Sequence, residues 1–164
     1  MTLRAATSSV DQTRDLGAAV AALSRPGDVL VLAGDLGAGK TAFTQGFGRG
    51  LGITERITSP TFTLVHVYDG GRLPVHHLDV YRLEQLSEAL DLGLAEMLDE
   101  GGVVLIEWGD AITPVLPHDL LEVRLTFGAG DDDRVLTFEP IGAAWVGRGA
   151  ALEAALQPWG GARC

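Results

Sequence analysis

The strongest constraint on the fold of this chain is a short apolar run that enters a glycine-rich turn and leaves as a helical pattern. Residues 29–33 read Val-Leu-Val-Leu-Ala, and residues 34–41 read Gly-Asp-Leu-Gly-Ala-Gly-Lys-Thr. A strand, a turn of the form Gly-x-x-x-x-Gly-Lys-Thr and a helix, in this order, are the setting of a Walker A phosphate-binding loop. The pattern therefore predicts a nucleotide site within an α/β fold.

Each residue type in this loop suits polyphosphate binding. Gly34, Gly37 and Gly39 permit the backbone conformations and close approaches with which amide N–H groups surround phosphate oxygens. Lys40, the only Lys in a chain with eleven Arg, would place its charge on the β- and γ-phosphates, and Thr41 would give its hydroxyl to Mg²⁺. The predicted nucleotide-binding residues of the loop are Gly34, Asp35, Leu36, Gly37, Ala38, Gly39, Lys40, Thr41 and Ala42.

Length and composition favour a single domain over residues 1–164. The chain has 46% hydrophobic residues, and a chain of this size buries about 70% of its unfolded surface. Its net charge of −10 argues against direct binding to a nucleic-acid backbone, so any role with nucleic acid is expected to be indirect, through a partner protein. Cys164 is the only Cys, which excludes a disulfide framework. The chain lacks a signal core and a long apolar run, which predicts a cytoplasmic protein without a membrane segment.

The strand patterns predict a mixed sheet. Residues 57–68 run from a hydroxyl-rich turn into an alternating strand, and residues 73–81 return as its antiparallel partner. Residues 103–108 form a continuously apolar run that is typical of a buried parallel strand. Residues 120–127 and 135–141 indicate two further strands joined by a turn. We therefore expect a P-loop NTPase-like domain of three layers, with a parallel core and antiparallel hairpins.

The helical patterns flank the loop on both sides. Ser9 and Gln12 form a capping-box pattern that opens an amphipathic helix. After the loop, Phe43, Phe47 and Leu51 recur every four residues and keep to one helical face. The glycines between them weaken this helix, and we expect some of them to allow close contacts between helices.

Three segments are predicted near the ends of these patterns. Residues 2–7 suit a short edge strand, and residues 148–156 suit a terminal helix. Residues 86–98 have the apolar spacing of a helix, with Gly93 as its break.

Two acidic residues end apolar strands in the manner that a phosphate-loop enzyme requires. Glu107 ends a strand of the Walker B type, and Asp79 ends the second strand of the hairpin. We assign Glu107 to the metal and Asp79 to the attacking water or the surroundings of the γ-phosphate. An exchange of these two roles, and a surface acid at either position, are the alternatives.

Four further residues have less specific patterns. Thr61 resembles the mobile threonine of a GTPase switch that gives its hydroxyl to Mg²⁺, and an ordinary turn is its alternative. Thr13, early in the first helix, is a candidate contact for the base or sugar, and a solvated helix residue is its alternative. His76 and His77 lack a matching set of metal ligands, so we interpret them as strand surface or as support for Asp79.

The ordered motifs resemble the bacterial TsaE (YjeE) family. They are the loop at residues 34–41, Ser-Pro-Thr-Phe-Thr-Leu at 59–64, His-Leu-Asp-Val-Tyr-Arg-Leu at 77–83 and Ile-Glu-Trp at 106–108. The resemblance runs from about Thr13 to Leu116. It implies a small ATPase that works with TsaB and TsaD to install threonylcarbamoyl on the adenosine beside the anticodon of tRNAs reading ANN codons.

The resemblance also implies roles for particular residues. Lys40 and the loop amides would hold ATP, Thr41 and Glu107 would bind Mg²⁺, and Asp79 would lie at the nucleotide. Trp108 would stand beside the site, and Arg134 is a candidate for the outer side of the nucleotide. The chain departs from the family pattern in two places: Ala42 stands where a second Thr is common, and Gly109 stands where Pro often follows the Glu-Trp pair.

Other functions remain open from the sequence. A Ras-like GTPase would recognise guanine with an Asn-Lys-x-Asp motif. The only Lys of this chain lies in the phosphate loop, which argues against that class of protein. A small-metabolite kinase is a second alternative, and it would need an arginine-bearing lid. A non-catalytic scaffold is a third, and it would bind ATP without activating water. We expect slow hydrolysis by the isolated chain, since a missing arginine finger can be worth about 10³–10⁵ in rate. Arg56 and Arg82 are the candidate internal substitutes.

Overall fold

A single mixed sheet of eight strands forms the frame of the molecule. The structure is a computed structural model that describes residues 1–59, 65–80, 84, 87–88, 91, 93–108 and 116–164. The strands are β1 (Leu3–Thr7), β2 (Val29–Ala33), β3 (Val65–Tyr68), β4 (Val75–Asp79), β5 (Val103–Trp108), β6 (Leu120–Phe127), β7 (Arg134–Ile141) and β8 (Ala162–Arg163). Their order in the sheet is β3-β4-β5-β2-β6-β7-β1-β8.

The centre of the sheet is parallel and its flanks are antiparallel. β2 pairs in parallel with both β5 and β6, and β4 pairs in parallel with β5. β3 is antiparallel to β4, and β7 is antiparallel to both β6 and β1. The predicted mixed sheet, with its parallel core and antiparallel hairpins, is confirmed. All five residues of β2 are buried, as expected for a strand with neighbours on both edges and both faces.

One strand position differs from the prediction. β1 is not at the edge of the sheet, because β8 pairs with it at Leu3 and Arg4. β8 is only two residues long and reads Ala-Arg, so it has neither the length nor the alternation by which a strand is recognised in a sequence.

Helices cover the sheet on both faces. Those whose full extent lies among the described residues are α1 (Val10–Ala21), α2 (Lys40–Gly50), α3 (Leu94–Asp99), α4 (Ala143–Val146) and α5 (Gly149–Ala155), followed by a 3₁₀ turn at Gln157–Trp159. Leu16 of α1 and Phe43 of α2 join Leu105 in one buried cluster. Leu94 of α3 joins Ile106 in the cluster on the opposite face. Successive residues of β5 thus point to opposite faces, and the result is the predicted arrangement of three layers.

Several local predictions are confirmed. Ser9 caps α1 by accepting a hydrogen bond from the Gln12 amide at 3.1 Å. Gly93, at φ 111°, precedes α3 and forms the expected break. The terminal helix is α5. Among the residues that the structure describes, no helix has the length and apolar character needed to cross a membrane.

The first two helices approach each other closely because glycines line their contact. A Cβ at Gly46 would lie 1.8 Å from the carbonyl oxygen of Arg14, and one at Gly50 would lie 2.7 Å from that of Ala18. A Cβ at Gly17 would lie 2.4 Å from the carbonyl oxygen of Phe43. The expectation that some of these glycines allow close helix contacts is therefore confirmed. This contact fixes α2, whose first turn carries Lys40 and Thr41.

We expect Gly46→Ala to destabilise the protein although Ala is the better helix former. The added methyl meets backbone in α1, and the overpacking should reduce the free energy of unfolding by at least about 2 kcal/mol, or lower Tm by at least about 4 °C. Thermal melting followed by circular dichroism measures this. Arg49→Ala on the exposed side of α2 removes only a surface ion pair with Asp15 and should change Tm by less than about 2 °C. A Gly46→Ala protein as stable as wild type would contradict the close packing.

Candidate functional site

The turn between β2 and α2 has the backbone conformation predicted for a phosphate-binding loop. Gly34, Gly37 and Gly39 adopt φ values of 152°, 82° and 109°, a region in which L side chains are strained. A Cβ at Gly34 would also lie 2.5 Å from the carbonyl oxygen of Leu125 on β6. The loop ends at Gly39, and α2 begins at Lys40 with its free amide groups toward the loop.

A cleft of about 560 Å³ opens beside this loop. Three residues outside the loop and α2 complete its wall: Ser59, Asp79 and Glu107. Leu36 is 96% exposed at the tip of the loop. Ala38 is buried among core residues and contributes no surface to the cleft. The lining residues are Gly34, Asp35, Leu36, Gly37, Gly39, Lys40, Thr41, Ala42, Ser59, Asp79 and Glu107.

The two acidic strand ends lie side by side. In the parallel register of β4 and β5, Asp79 is the partner of Glu107, so both side chains leave the sheet on the same face. The register continues past the strand end, where the Val80 amide donates to the Glu107 carbonyl oxygen at 3.0 Å.

Thr41 is hydrogen-bonded to two of the lining side chains. Its hydroxyl donates to Glu107 Oε1 at 3.2 Å and lies 2.9 Å from the Ser59 hydroxyl. A hydroxyl has one proton, so when Thr41 donates to Glu107, Ser59 must be the donor toward Thr41. The first residue of α2, Lys40, donates from Nζ to the carbonyl oxygen of Gly34.

A buried tyrosine on β3 holds the backbone of Thr58, the residue before Ser59. The Tyr68 hydroxyl accepts from the Thr58 amide at 3.3 Å and lies 3.1 Å from His66 Nδ1. The rings of His66 and Tyr68 stack with their centroids 4.5 Å apart. The backbone immediately before Ser59 is therefore anchored to the edge of the sheet.

His77 has a hydrogen-bond partner that the sequence did not predict. Its Nε2 is hydrogen-bonded to Glu107 Oε2, and its side chain is completely buried. His76 is also buried, so neither residue is strand surface, while the charge that His77 can carry also acts on the Asp79 carboxyl. The strand-surface interpretation was wrong because the sequence does not show that both faces of β4 are covered. The signal that was available is that His77, two residues before Asp79, shares its face.

Burial raises the pKa of the Asp79 carboxyl above its ordinary value, and the neighbouring Glu107 carboxylate raises it further. The positive charges that His77 and Lys40 can carry act in the opposite direction and only partly offset this rise in pKa. Asp79 therefore holds a proton more tightly than an exposed aspartate.

Thr13 and Arg134 lie together on the other side of the loop. Both line a small cleft that also includes Gly37, Gly39 and Ala42. Thr13 is 2% exposed and its hydroxyl lies 2.8 Å from that of Thr7, so the alternative of a solvated helix residue is wrong.

The guanidinium of Arg134 contacts several neighbouring groups. It donates to the carbonyl oxygens of Asp131 and Asp133 at 2.8 Å each and to that of Gly37 at 3.4 Å. It also lies 4.8 Å from the centre of the Phe127 ring. One edge of the guanidinium thus reaches the phosphate loop.

The structure does not describe the side chains of three predicted residues. Thr61, Arg82 and the side chain of Trp108 lie outside the described residues. Arg56 is described and lines a separate surface cavity together with Arg14 and Arg49, so it is not among the residues around the cleft.

The family of this chain follows from its similarity to a family model. The model of the family described as threonylcarbamoyl adenosine biosynthesis protein TsaE matches residues 7–135. The chain belongs to the TsaE family. A TsaE of Bacillus subtilis is 49% identical over 132 residues, covering 80% of this chain and 82% of its own. A TsaE of Treponema pallidum is 44% identical over 135 residues, covering 82% of this chain and 98% of its own.

A solved structure is similar to this chain along most of its length. The crystal structure of YdiB from Bacillus subtilis matches 96% of this chain and 95% of its own, with a TM-score of 0.73 and 40% sequence identity. The chain therefore shares its overall fold with this structure.

Two side chains of the cleft are oxygen donors that could hold Mg²⁺. Within the described part of the chain, no cluster of three or more His, Cys, Asp or Glu side chains could hold a metal ion. Mg²⁺ is typically held by one or two protein oxygens, with water and phosphate oxygens completing its shell. The Thr41 hydroxyl and the Glu107 carboxylate form a pair of that kind.

We expect Asp79→Asn to stabilise the nucleotide-free protein at neutral pH. Because the folded-state pKa of Asp79 is raised, the stability linked to its protonated form is fully present below the unfolded pKa of about 4 and is lost as pH rises through the folded pKa. Asn has no such loss, so the Tm difference between variant and wild type should be larger at about pH 8 than at about pH 4.5.

Melting curves across that pH range test this expectation for Asp79. Glu55→Gln, which neutralises an exposed carboxylate, is the control and should show no comparable pH-dependent gain. An Asp79→Asn advantage that is absent, or that does not change with pH, would contradict the raised pKa.

Proposed function

We propose that this protein binds ATP with Mg²⁺ and hydrolyses it slowly in support of tRNA threonylcarbamoyladenosine biosynthesis. The family assignment places the chain in that biosynthesis. The proposal of ATP hydrolysis depends on one observation: the cleft brings together Lys40, Thr41, Asp79 and Glu107. These side chains supply a cation for phosphate, a metal-binding hydroxyl and two carboxylates, which are the parts that phosphoryl transfer to water requires.

Phosphate would be bound by the loop and by Lys40. The amide groups of the loop and of the first turn of α2 point at a phosphate position, where the helix dipole also favours negative charge. Lys40 Nζ would exchange the Gly34 carbonyl oxygen for oxygens of the β- and γ-phosphates.

The charges of the lining residues favour nucleotide that carries a metal. Asp35, Asp79 and Glu107 line the cleft with Lys40 as the only cation among the described lining residues. A bare triphosphate would add several negative charges to this excess of carboxylates. Mg²⁺ would supply the missing positive charge, and the Thr41 hydroxyl and Glu107 would hold it, directly or through water.

Asp79 is the group that would act on the attacking water. Its raised pKa makes its carboxylate a stronger proton acceptor than an exposed aspartate. Hydrolysis forms a bond between the water oxygen and the γ-phosphorus and breaks the bond from that phosphorus to the β–γ bridging oxygen. The proton of the water would pass to an Oδ of Asp79.

The partners proposed for this activity are TsaB and TsaD. The net charge of −10 favours a division of labour in which tRNA is bound by partner proteins. None of the described residues that line the cleft is an arginine, and an arginine finger supplied from outside can raise such a rate by about 10³–10⁵. We therefore expect the isolated chain to be slow and the complex to be faster.

ATP with Mg²⁺ should stabilise the wild-type protein and should not stabilise Lys40→Ala. At ATP concentrations about 100 times the Kd, binding adds about 2.7 kcal/mol, which raises Tm by roughly 5–10 °C. Thermal melting with ATP, with GTP and without nucleotide measures the effect. Arg56→Ala removes one positive charge away from the cleft and should keep the shift. An equal shift with GTP, or none with ATP, would count against adenine nucleotide binding.

Asp79→Asn should keep the ATP-dependent shift and lose turnover. Removing a general base reduces rates by about 10²–10⁴, so phosphate release should fall at least about 100-fold. The measurement is phosphate release by the chain alone and after addition of TsaB and TsaD, with Glu55→Gln as a control of unchanged rate. Unchanged turnover in Asp79→Asn would refute its role, and phosphate transfer to a metabolite would favour a kinase instead.

A further inference from the structure

We propose that His77 is a positioning residue that fixes the Glu107 carboxylate for metal binding. The inference rests on the proposed function, in which Glu107 and Thr41 hold Mg²⁺. It assigns to His77 a task that neither the sequence pattern nor the family name indicates. His77 itself touches neither metal nor nucleotide, and it acts through Glu107.

Both oxygens of the Glu107 carboxylate are committed to one partner each. Oε2 accepts from His77 Nε2, and Oε1 accepts from the Thr41 hydroxyl. Glu107 is only 2% exposed, so water does not replace either bond easily. With Oε2 held by the ring, Oε1 is turned toward Thr41 and the cleft, which is the orientation that a metal-binding carboxylate needs.

Glu107 is the one hydrogen-bond partner of the His77 ring among the described residues. The ring is fully buried, and its Nδ1 has no hydrogen-bond partner among the described residues. Donation from Nε2 requires the proton on that nitrogen, and in a neutral ring this leaves Nδ1 as a bare acceptor. An apolar side chain of similar size would fill the same space without an unpaired nitrogen. The bond from Nε2 to Glu107 is therefore the polar contact that the imidazole supplies and an apolar side chain could not.

The neighbouring histidine provides a contrast within the same strand. His76 is also buried, but it points to the opposite face, where its Nε2 lies 3.9 Å from the exposed Glu100. Its Nδ1 is unpaired like that of His77, and no hydrogen bond or ion pair among the described residues joins it to Glu107 or Thr41. His76 therefore serves as a matched control for the loss of a buried imidazole from β4.

Four variants separate donation from Nε2 from simple packing. His77→Leu removes the donor and keeps much of the volume. His77→Gln places an amide N–H near the former Nε2, whereas His77→Asn places it near the former Nδ1, too short to reach Glu107. His76→Leu is the control.

The measured quantity is the ratio of the ATP Kd in excess EDTA to the ATP Kd in excess Mg²⁺, from calorimetric titration of each folded protein. This ratio reports how strongly the site couples metal to nucleotide, and it does not depend on turnover.

Loss of a group that orients a metal ligand typically weakens metal binding about 10–100-fold. We expect the ratio to fall at least about 10-fold in His77→Leu and His77→Asn. His77→Gln and His76→Leu should stay within about threefold of wild type. The Kd in EDTA should be similar in all five proteins.

The outcomes separate the inference from the proposed function. A wild-type protein whose ATP affinity does not depend on Mg²⁺ overturns both. A wild-type ratio well above one that is retained in His77→Leu overturns only the role of His77. Equal losses in His77→Gln and His77→Asn overturn it as well, because they show that the position of the donor does not matter. If His77→Leu does not fold, the comparison of Gln with Asn decides the question, since both are polar and similar in size.

Discussion

The parallel pairing of β4 with β5 is the interaction on which the candidate site depends. It sets Asp79 beside Glu107 and carries His77 to the same face, where its ring reaches the second of these carboxylates. A shift of one residue in this register would turn Asp79 and His77 to the opposite face of the sheet. The register is fixed because Val103 to Ile106 of β5 alternate between two buried clusters, and β4 contributes Val75 to one cluster and Leu78 to the other.

The packing of α1 against α2 supplies the other half of the site. Glycines at the contact bring the two backbones together, and α2 then presents Lys40 and Thr41 to the carboxylates of the sheet. The same contact brings Thr13 of α1 to the far side of the loop, where its methyl lies 3.7 Å from the place of a Cβ at Gly39. The site thus lies between a helix pair held by backbone contact and a sheet held by side-chain packing.

Much of this could be predicted from the sequence because the signals are local. The Walker A pattern, the apolar run of β5 and the hairpin turn each occupy a few consecutive residues, and the structure has an element at each of them. The pairing of β8 with β1 and the bond between His77 and Glu107 could not be predicted in the same way. The first depends on a strand of two residues, and the second depends on which strands are neighbours, which periodicity does not encode. For the same reason, Asp79 and Glu107 could be identified as candidates from the sequence, but their different surroundings could not be predicted.

The hydrogen bonds of Thr41 and His77 to Glu107 also have a consequence for how the protein acquires its site during folding. They join residues that are 66 and 30 positions apart, whereas the Lys40 bond to Gly34 spans only six. Closing a long loop costs conformational entropy that is offset only when the contacts of the sheet form. Contacts between distant residues therefore tend to form late. The loop between β2 and α2 can adopt its shape from local contacts, but Thr41 and Glu107 meet only after β5 has inserted between β4 and β2. A chain in which only the local contacts have formed therefore has the loop without the carboxylate that completes the candidate site.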